Sequence, residues 1–134
     1  MYALDSNTIV YFFKGMGGVG RRLMAVPPGQ VEVSAIVAFE LAVGVAKSPE
    51  ASRRREQLAR FLSSIQLVPF GPHEAEVAAG IRSELEQRGV PIGPLDVLIA
   101  GSALARGAVL VTRNTREFSR VPGLQLESWY EVEK

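Results

Sequence analysis

Cysteine is absent from the 134 residues, and histidine occurs only once, at His73. The lack of cysteine excludes disulfides, thiolate metal ligands and a cysteine nucleophile. A single histidine excludes a zinc site built from several imidazoles, and we expect His73, at the start of a helical segment, to be a polar surface residue. Any metal site in this chain therefore has to use oxygen ligands.

Long apolar runs and a strong net charge are also missing. No stretch approaches the roughly 20 apolar residues that cross a bilayer, so we expect no membrane span. The first residues, MYALDSN, contain no basic region followed by an apolar stretch, and we expect no signal peptide. Together with the missing cysteine, these features favour a cytoplasmic location. The net charge of +1 does not by itself indicate a nucleic-acid-binding protein.

The composition is that of an ordinary folded protein, with 47% hydrophobic and 22% charged residues. We expect a single domain over residues 1–134 with a sizeable core. Short β-branched runs alternate with helical patterns, which predicts an α/β fold with a mostly parallel sheet. The predicted strands are Tyr2–Leu4, Val31–Val33, Gln66–Val68, Ala108–Thr112 and Leu124–Leu126. The predicted helices are Ile9–Phe13, Ala35–Ala46, Glu50–Ser64, His73–Arg88 and Leu95–Arg106.

A glycine-rich segment, Gly15–Gly20, matches the G-x-G-x-x-G pattern of dinucleotide-binding proteins. In those proteins the glycines follow a strand directly, whereas here a helical segment intervenes. Arg21 and Arg22 stand where a P-loop has Lys and Ser or Thr. We therefore interpret the segment as a flexible loop and not as a phosphate-binding motif.

The chain contains only two aspartates, and each lies in apolar surroundings near the end of a predicted element. Asp5 follows the first strand, where it could simply cap the next helix. Asp96 lies in the first turn of an apolar helix that begins at Pro94. Glu40 is the only charge on another apolar helix until Lys47; it could face solvent or pair with an arginine, since an unpaired buried charge is unfavourable.

The loop after the predicted strand Ala108–Thr112 carries further polar residues, Asn114 and Glu117. In parallel sheets, functional groups gather beyond the carboxyl ends of the strands. If this strand is next to the first one, Asp5 comes close to Asn114 and Glu117. The same two loop residues also fit a capping box, with Asn114 as the N-cap and Glu117 three residues later.

All of these candidate residues offer oxygen ligands. Carboxylates that lie close together need a counter-charge, which an arginine or a cation can provide. Mg²⁺ and Mn²⁺ prefer such oxygen ligands and can support hydrolysis of a phosphodiester. The residues in question are Asp5, Glu40, Asp96, Asn114 and Glu117.

Four segments of the chain resemble one known family, in order and at the family's spacing. They are ALDSN at 3–7, ELAVGVAKS at 40–48, IRSELEQRGVPIGPLDVLIAGSALARG at 81–107 and LVTRNTREFSRVPGLQLESW at 110–129. The chain resembles the PIN-domain ribonucleases, and among them the VapC toxins of bacterial toxin–antitoxin systems. The resemblance covers nearly the whole chain.

The resemblance implies a three-layer α/β/α sandwich with a five-stranded parallel sheet, and cleavage of RNA that depends on Mg²⁺ or Mn²⁺. It implies that Asp5, Glu40 and Asp96 bind the metal and that Glu117 completes the catalytic acids. Many relatives have Asp where this chain has Asn114, which favours Glu117 as the charged residue of this loop. The residues expected to support the acids are Ser6, Asn7, Thr112 and Asn114.

The resemblance also implies binding partners: a tRNA substrate, with initiator tRNA as the candidate, a VapB-type antitoxin, and a second copy of the chain in a homodimer. We expect Arg113 and Arg116 to contact RNA phosphates or the tail of the antitoxin, because arginine forks suit both. One alternative is a PIN fold that binds RNA or protein without catalysis. Another is a haloacid-dehalogenase-like phosphatase, but that class needs D-x-D where this chain has Asp5-Ser6-Asn7.

Overall fold

The computed structural model describes residues 1–131 and contains one five-stranded sheet. The strands are β1 (Tyr2–Leu4), β2 (Val31–Ser34), β3 (Gln66–Val68), β4 (Val109–Val111) and β5 (Leu126–Glu127). They follow the order β3-β2-β1-β4-β5, and every neighbouring pair is parallel. The predicted parallel α/β fold is confirmed.

Seven α-helices flank this sheet within residues 1–131, and a short 3-10 helix, Pro28–Gln30, precedes β2. The α-helices are α1 (Ser6–Lys14), α2 (Val19–Met24), α3 (Ala35–Ala46), α4 (Ala51–Ser63), α5 (Pro72–Gln87), α6 (Pro94–Arg106) and α7 (Thr115–Phe118). Capping residues in the sequence explain where several of these helices begin or end. Ser34 caps α3 by accepting a hydrogen bond from the N–H of Val37 at 3.2 Å. Gly107, with φ of 67°, ends α6 in the left-handed conformation that favours glycine.

The pairing of β1 with β4 positions the candidate site. Leu4 is in register with Val111, so the two strands end at the same edge of the sheet. Asp5 continues this pairing, because its N–H donates to the carbonyl of Val111 at 3.1 Å. The hydroxyl of Thr8 donates to the same carbonyl at 3.2 Å. The loop after β4 therefore begins beside Asp5, as expected.

Helix α6 carries Asp96 and is anchored by close packing against α5. A Cβ added to Gly101 would lie 2.6 Å from Cβ of Ala78, so the two helices approach more closely than larger side chains permit. Ile99 and Ala100 are also buried in the core, at 4% and 0% exposure. Because the middle of α6 is fixed in this way, its first turn and Asp96 are held at the edge of the sheet.

Helix α3 differs from the prediction. Its nearly continuous apolar sequence predicted a buried helix, but only Val37 and Leu41 are buried. Phe39 is 55% exposed and Val43 is 37% exposed. A helix that is apolar all round gives no sequence signal for the face that packs on the core. The outcome here is an exposed apolar strip on α3.

The interpretation of Gly15–Gly20 as a flexible loop is wrong in part. Val19 and Gly20 belong to α2, and Val19 is 1% exposed. Gly17 has φ of 64°, and a Cβ there would lie 2.5 Å from the carbonyl oxygen of Tyr130. Gly17 and Gly18 thus permit close packing against the segment around Tyr130, a structural use that differs from a dinucleotide-binding motif.

The end of the described chain packs on the core. Trp129 is 1% exposed, and its ring centroid lies 5.4 Å from that of Tyr2. Strand β5 comes two residues later than predicted, at Leu126–Glu127. His73 is exposed, as expected for a surface residue. Among residues 1–131, no helix combines the length and the hydrophobicity that a bilayer span requires.

Candidate active site

Asp5 lies at the point where β1 ends and α1 begins, and it is 6% exposed. Its Oδ1 accepts a hydrogen bond from the N–H of Thr8 at 2.8 Å, so Asp5 is the N-cap of α1. The capping interpretation is therefore correct. It does not conflict with a role at the site, because the cap fixes the carboxylate at the carboxyl edge of the sheet.

Glu40 reaches the same edge from α3. The hydroxyl of Ser6 donates to Oε1 of Glu40 at 3.1 Å, and this hydrogen bond is partly shielded from solvent. Glu40 is half-buried, and its hydrogen-bond partner is Ser6 and not an arginine. Ser6 thereby holds the orientation of the Glu40 side chain next to Asp5.

Asp96 is the residue whose ionisation the site changes most. Burial, as the main cause, raises its pKa to about 6 from the usual 3.8. The negative charges of Glu117, Glu40 and Asp5 raise it further, as does a hydrogen bond with Glu117. The charges of three other carboxylates therefore act on Asp96, as expected where several acids share one edge of a sheet.

Glu117 is held by two donors. Its Oε2 accepts a hydrogen bond from Nδ2 of Asn114 at 2.6 Å, and its Oε1 accepts one from the N–H of Gly93 at 3.2 Å. The Asn114 bond is the main cause that lowers the pKa of Glu117 below its usual 4.5. Asp96 is consequently the member of this pair that takes a proton first, while Glu117 stays ionised.

Thr112 and Asn114 shape the loop that carries Glu117. The N–H of Asn114 donates to the hydroxyl of Thr112, which is fully buried, at 3.0 Å. Asn114 occupies the N-cap position of α7, but its side chain makes no capping bond. The capping-box interpretation is therefore wrong for the Asn114 side chain, which binds Glu117 instead. Asn114 therefore supports Glu117, and Glu117 is the charged group of this loop.

Arg113 lies on the outer side of this loop. Its guanidinium carbon is 3.6 Å from the ring centroid of Tyr130 and 5.7 Å from that of Tyr11. A hydrogen bond with Tyr11 is the main cause that raises the pKa of Arg113. Arg116 is exposed on α7. No sequence pattern pointed to Tyr11, although it lies one helical turn after Asn7 on α1.

Two clefts flank the acids, and Asn7 lines both. One has a volume of about 290 Å³ and is lined by Asp5, Asn7, Tyr11, Arg113 and Asn114. The other, of about 370 Å³, lies between α1, α3 and α4. It shares Ser6, Asn7 and Glu40 with the site, has an apolar wall, and includes Lys14 and Arg54 in its lining. Asn7 is exposed between the two clefts.

The donor chemistry of the acids fits a hard divalent cation. The ion pairs of residues 1–131 involve other carboxylates, those of Glu32, Glu50, Glu86 and Glu127. None of the four acids takes part in these ion pairs, although the charge of Arg120 contributes to the lowered pKa of Glu117. In residues 1–131, no three His, Cys, Asp or Glu side chains are arranged to hold a metal ion. A cation here would keep several water ligands beside few carboxylates, as Mg²⁺ often does.

The chain is similar to known protein families and to individual relatives. A family model described as PIN domain matches residues 2–124. The tRNA(fMet)-specific endonuclease VapC of Shigella flexneri is 35% identical over 128 residues, which cover 96% of this chain and 97% of the relative. Ribonuclease VapC2 of Rickettsia felis is 37% identical over 131 residues, or 96% and 98% of the two chains.

Solved structures agree with this assignment. The DNA-bound VapBC structure from Salmonella typhimurium has a chain with a TM-score of 0.90 and 34% identity, covering 96% of this chain and 97% of its own. The promoter-bound VapBC2 structure from Rickettsia felis has a chain with a TM-score of 0.89 and 37% identity. It covers 96% of this chain and 98% of its own. The chain therefore belongs to the PIN domain family and, within it, to the VapC ribonucleases.

Proposed function

We propose that this protein is a metal-dependent endoribonuclease, the toxin of a toxin–antitoxin system, and that it hydrolyses phosphodiester bonds in tRNA. The observation that carries the proposal is the gathering of four carboxylates at one edge of the sheet. Ser6, directly after Asp5, binds Glu40, and Gly93, whose N–H binds Glu117, lies beside the carboxylate of Asp96. Initiator tRNA is the candidate substrate, since the Shigella flexneri relative is named a tRNA(fMet)-specific endonuclease. A tRNA substrate agrees with a cytoplasmic location.

In this proposal Asp5, Glu40 and Asp96 would bind Mg²⁺ or Mn²⁺ partly through the ion's own water ligands, with Glu117 as the fourth acid. Such an ion, when bound, polarises the phosphodiester and makes water a better nucleophile. The chain's own residues keep the acids in place: the helix cap fixes Asp5, and the hydroxyl of Ser6 orients Glu40. Because Glu117 has donors on both oxygens, it stays ionised beside Asp96.

Arginines next to the acids would bind the substrate. Arg113 and Arg116 are exposed on the loop and helix that carry Glu117. Guanidinium groups bind phosphate with two parallel hydrogen bonds, and their charge offsets the repulsion between the acids and RNA. We therefore assign RNA phosphates as their partners.

The proposed protein partners are a VapB-type antitoxin and a second copy of this chain. The solved relatives from Rickettsia felis and Salmonella typhimurium are VapBC structures. The homodimer would be formed through α3, on which Phe39 is 55% exposed and Val43 is 37% exposed. An exposed apolar strip of this kind is typical of protein interfaces.

The test is cleavage of a total tRNA pool by the purified protein with Mg²⁺, with Mn²⁺ and with EDTA. We expect defined fragments that require the metal and disappear in Asp96→Asn. Glu76→Gln, an exposed acid on α5, is the matched control and should cleave normally.

The outcome also decides between enzyme and binding protein. Equal RNA binding by the wild type and Asp96→Asn, with no cleavage by either, would support the non-catalytic alternative. Cleavage that persists in Asp96→Asn would indicate a contaminating nuclease, and fragments that form equally in EDTA would contradict the metal dependence. Membership of the PIN domain family argues against the phosphatase alternative.

A further inference from the structure

The guanidinium of Arg113 lies over the ring of Tyr130, and Arg113 lines the 290 Å³ cleft. Its central carbon is 3.6 Å from the ring centroid of Tyr130, a short cation–π distance. The rings of Tyr130 and Tyr11 are themselves in edge contact, with centroids 4.9 Å apart. A guanidinium stacked on its face keeps N–H donors along its edge, and these can bind an anion.

The ring of Tyr130 is held by the backbone around it. The carbonyl of Tyr130 accepts a hydrogen bond from the N–H of Gly18 at 2.7 Å. Gly17 lies so close to Tyr130 that a Cβ would meet its carbonyl oxygen at 2.5 Å and its ring at 2.9 Å. Trp129, directly before it, is buried. The contacts with Gly17 and Gly18 and the burial of Trp129 therefore fix the position of Tyr130. The ring of Tyr130 in turn fixes the position of the Arg113 guanidinium.

The cleft below Arg113 has a lining that suits one nucleotide unit of RNA. Asn7 and Asn114 provide amide groups that can form hydrogen bonds with a base or ribose, and Tyr11 provides an aromatic face. Asp5 is the only acid in this lining and belongs to the catalytic set. Arg113 adds a positive charge to this lining, which favours the approach of a phosphate.

We propose that Arg113 binds the phosphate next to the cleaved bond and that Tyr130 is the residue that positions it. The cleft of Asp5, Asn7, Tyr11, Arg113 and Asn114 then holds the nucleotide beside the cleaved bond. This inference rests on the proposed ribonuclease function, and it adds a substrate position and a positioning residue. Tyr130 acts only through Arg113.

The test uses a synthetic RNA hairpin that contains the cleaved site. One phosphate beside the cleaved bond is replaced by a neutral methylphosphonate next to a 2′-O-methyl ribose. The matched reference hairpin has the 2′-O-methyl ribose and an ordinary phosphate. The phosphate on either side of the cleaved bond is substituted in turn. At one of these two positions we expect the neutral linkage to raise KM of the wild type by about tenfold or more, the effect of losing a charge-assisted hydrogen bond.

Variants locate this effect at Arg113. Arg113→Ala should raise KM for the reference hairpin to a similar extent, change kcat by less than about twofold, and show no further response to the neutral linkage. Tyr130→Phe keeps the ring and should behave like the wild type, whereas Tyr130→Leu should raise KM. Arg60→Ala, an exposed arginine on α4, is the control for a general loss of positive charge. Thermal unfolding of each variant identifies any that fail to fold.

The outcomes separate this inference from the proposed function. If the wild type cleaves RNA but the neutral linkage affects the wild type and Arg113→Ala equally, the subsite is wrong and the ribonuclease function stands. The same holds if Arg113→Ala weakens only antitoxin binding, or if a folded Tyr130→Leu keeps the KM of the wild type. If the wild type cleaves no RNA, both the proposed function and the subsite are wrong.

Discussion

The amide of Asn114 donates a hydrogen bond to Oε2 of Glu117 at 2.6 Å, while the N–H of Gly93 binds the other oxygen of the same carboxylate at 3.2 Å. Glu117 is thus fixed between two loops and is more acidic than an ordinary glutamate. Asn114 carries no charge, so it cannot replace an acid. Its observed contact makes it the support of the acid three residues later.

Asn114→Asp tests this relationship. The change places a second carboxylate against Glu117, and we expect the metal-free protein to lose about 1 kcal/mol of stability from the like charges and the lost hydrogen bond. A divalent cation should reverse the loss, because it neutralises the added charge. The measurement is thermal unfolding in EDTA and in Mn²⁺.

Asn114→Ala is the control for this change, since it removes the donor without adding charge. It should be destabilised in EDTA but should gain no more from Mn²⁺ than the wild type does. An equal response of the two variants to Mn²⁺ would show that residue 114 lies too far from the cation to contribute.

The pKa of Asp96 predicts an unusual pH dependence of stability. Its pKa is about 6 in the folded protein and 3.8 as the ordinary value. Between these two pH values the folded state binds more protons than the unfolded state, so the contribution of Asp96 to the free energy of unfolding falls as pH rises from about 4 to about 6. Glu117, with its lowered pKa, acts in the opposite direction and loses its contribution only as pH falls below about 4.5.

Asp96→Asn should remove the first of these effects. We expect the variant to be more stable than the wild type at pH 7 in EDTA, with no decline between pH 4 and 6 from this residue, because an amide does not ionise beside the other acids. Urea unfolding across this pH range measures it, with Glu76→Gln as the surface control. A stability difference between the wild type and Asp96→Asn that stayed constant over the same interval would contradict the prediction.

The sequence predicted the site best where a polar residue directly follows a strand. Asp5 stood out because it follows a strand directly, and the rule for parallel sheets placed it near the loop of Glu117. The interaction of Arg113 with Tyr130 could not be predicted in this way. It joins residues far apart in the chain and depends on how the end of the chain packs against Gly17, which no local pattern encodes. The exposed side of α3 could not be predicted either. Apolar residues such as Phe39 occur on every face of this helix, so the sequence pattern does not indicate which face packs on the core.

Ser6→Ala tests how much the orientation of Glu40 matters. The hydroxyl of Ser6 is 3.1 Å from Oε1 of Glu40, and its loss frees a partly buried carboxylate. Groups that orient metal-binding residues typically change activity by about 10- to 100-fold, and we expect a loss of kcat in this range. Ser6→Thr retains the hydroxyl and should keep most of the activity. Equal activity of all three proteins would mean that Glu40 needs no support.

Arg116→Ala tests the contribution of α7 to RNA binding. An exposed arginine that contacts one phosphate should lower affinity for all RNAs alike and reduce the slope of log affinity against log salt by about 1. Binding to the Asp96→Asn protein, which should not cleave, gives the slope at several salt concentrations. An unchanged affinity and slope would remove Arg116 from the RNA-binding surface.

Gly17→Ala tests whether the glycine-rich segment is a packed element. Two independent effects disfavour a side chain there: φ is 64°, and the added Cβ would lie 2.5 Å from the carbonyl oxygen of Tyr130. We expect a loss of about 1 to 3 kcal/mol, since left-handed backbone strain and a clash with backbone both contribute. Gly80→Ala is the matched control, because Gly80 lies within α5 with nothing within 4 Å of an added Cβ. That change should stabilise the protein by about 0.5 to 1 kcal/mol, as alanine does in a helix. If Gly17→Ala were as stable as Gly80→Ala, Tyr130 would have room to move, and the fixed position of Arg113 over Tyr130 would lose its basis.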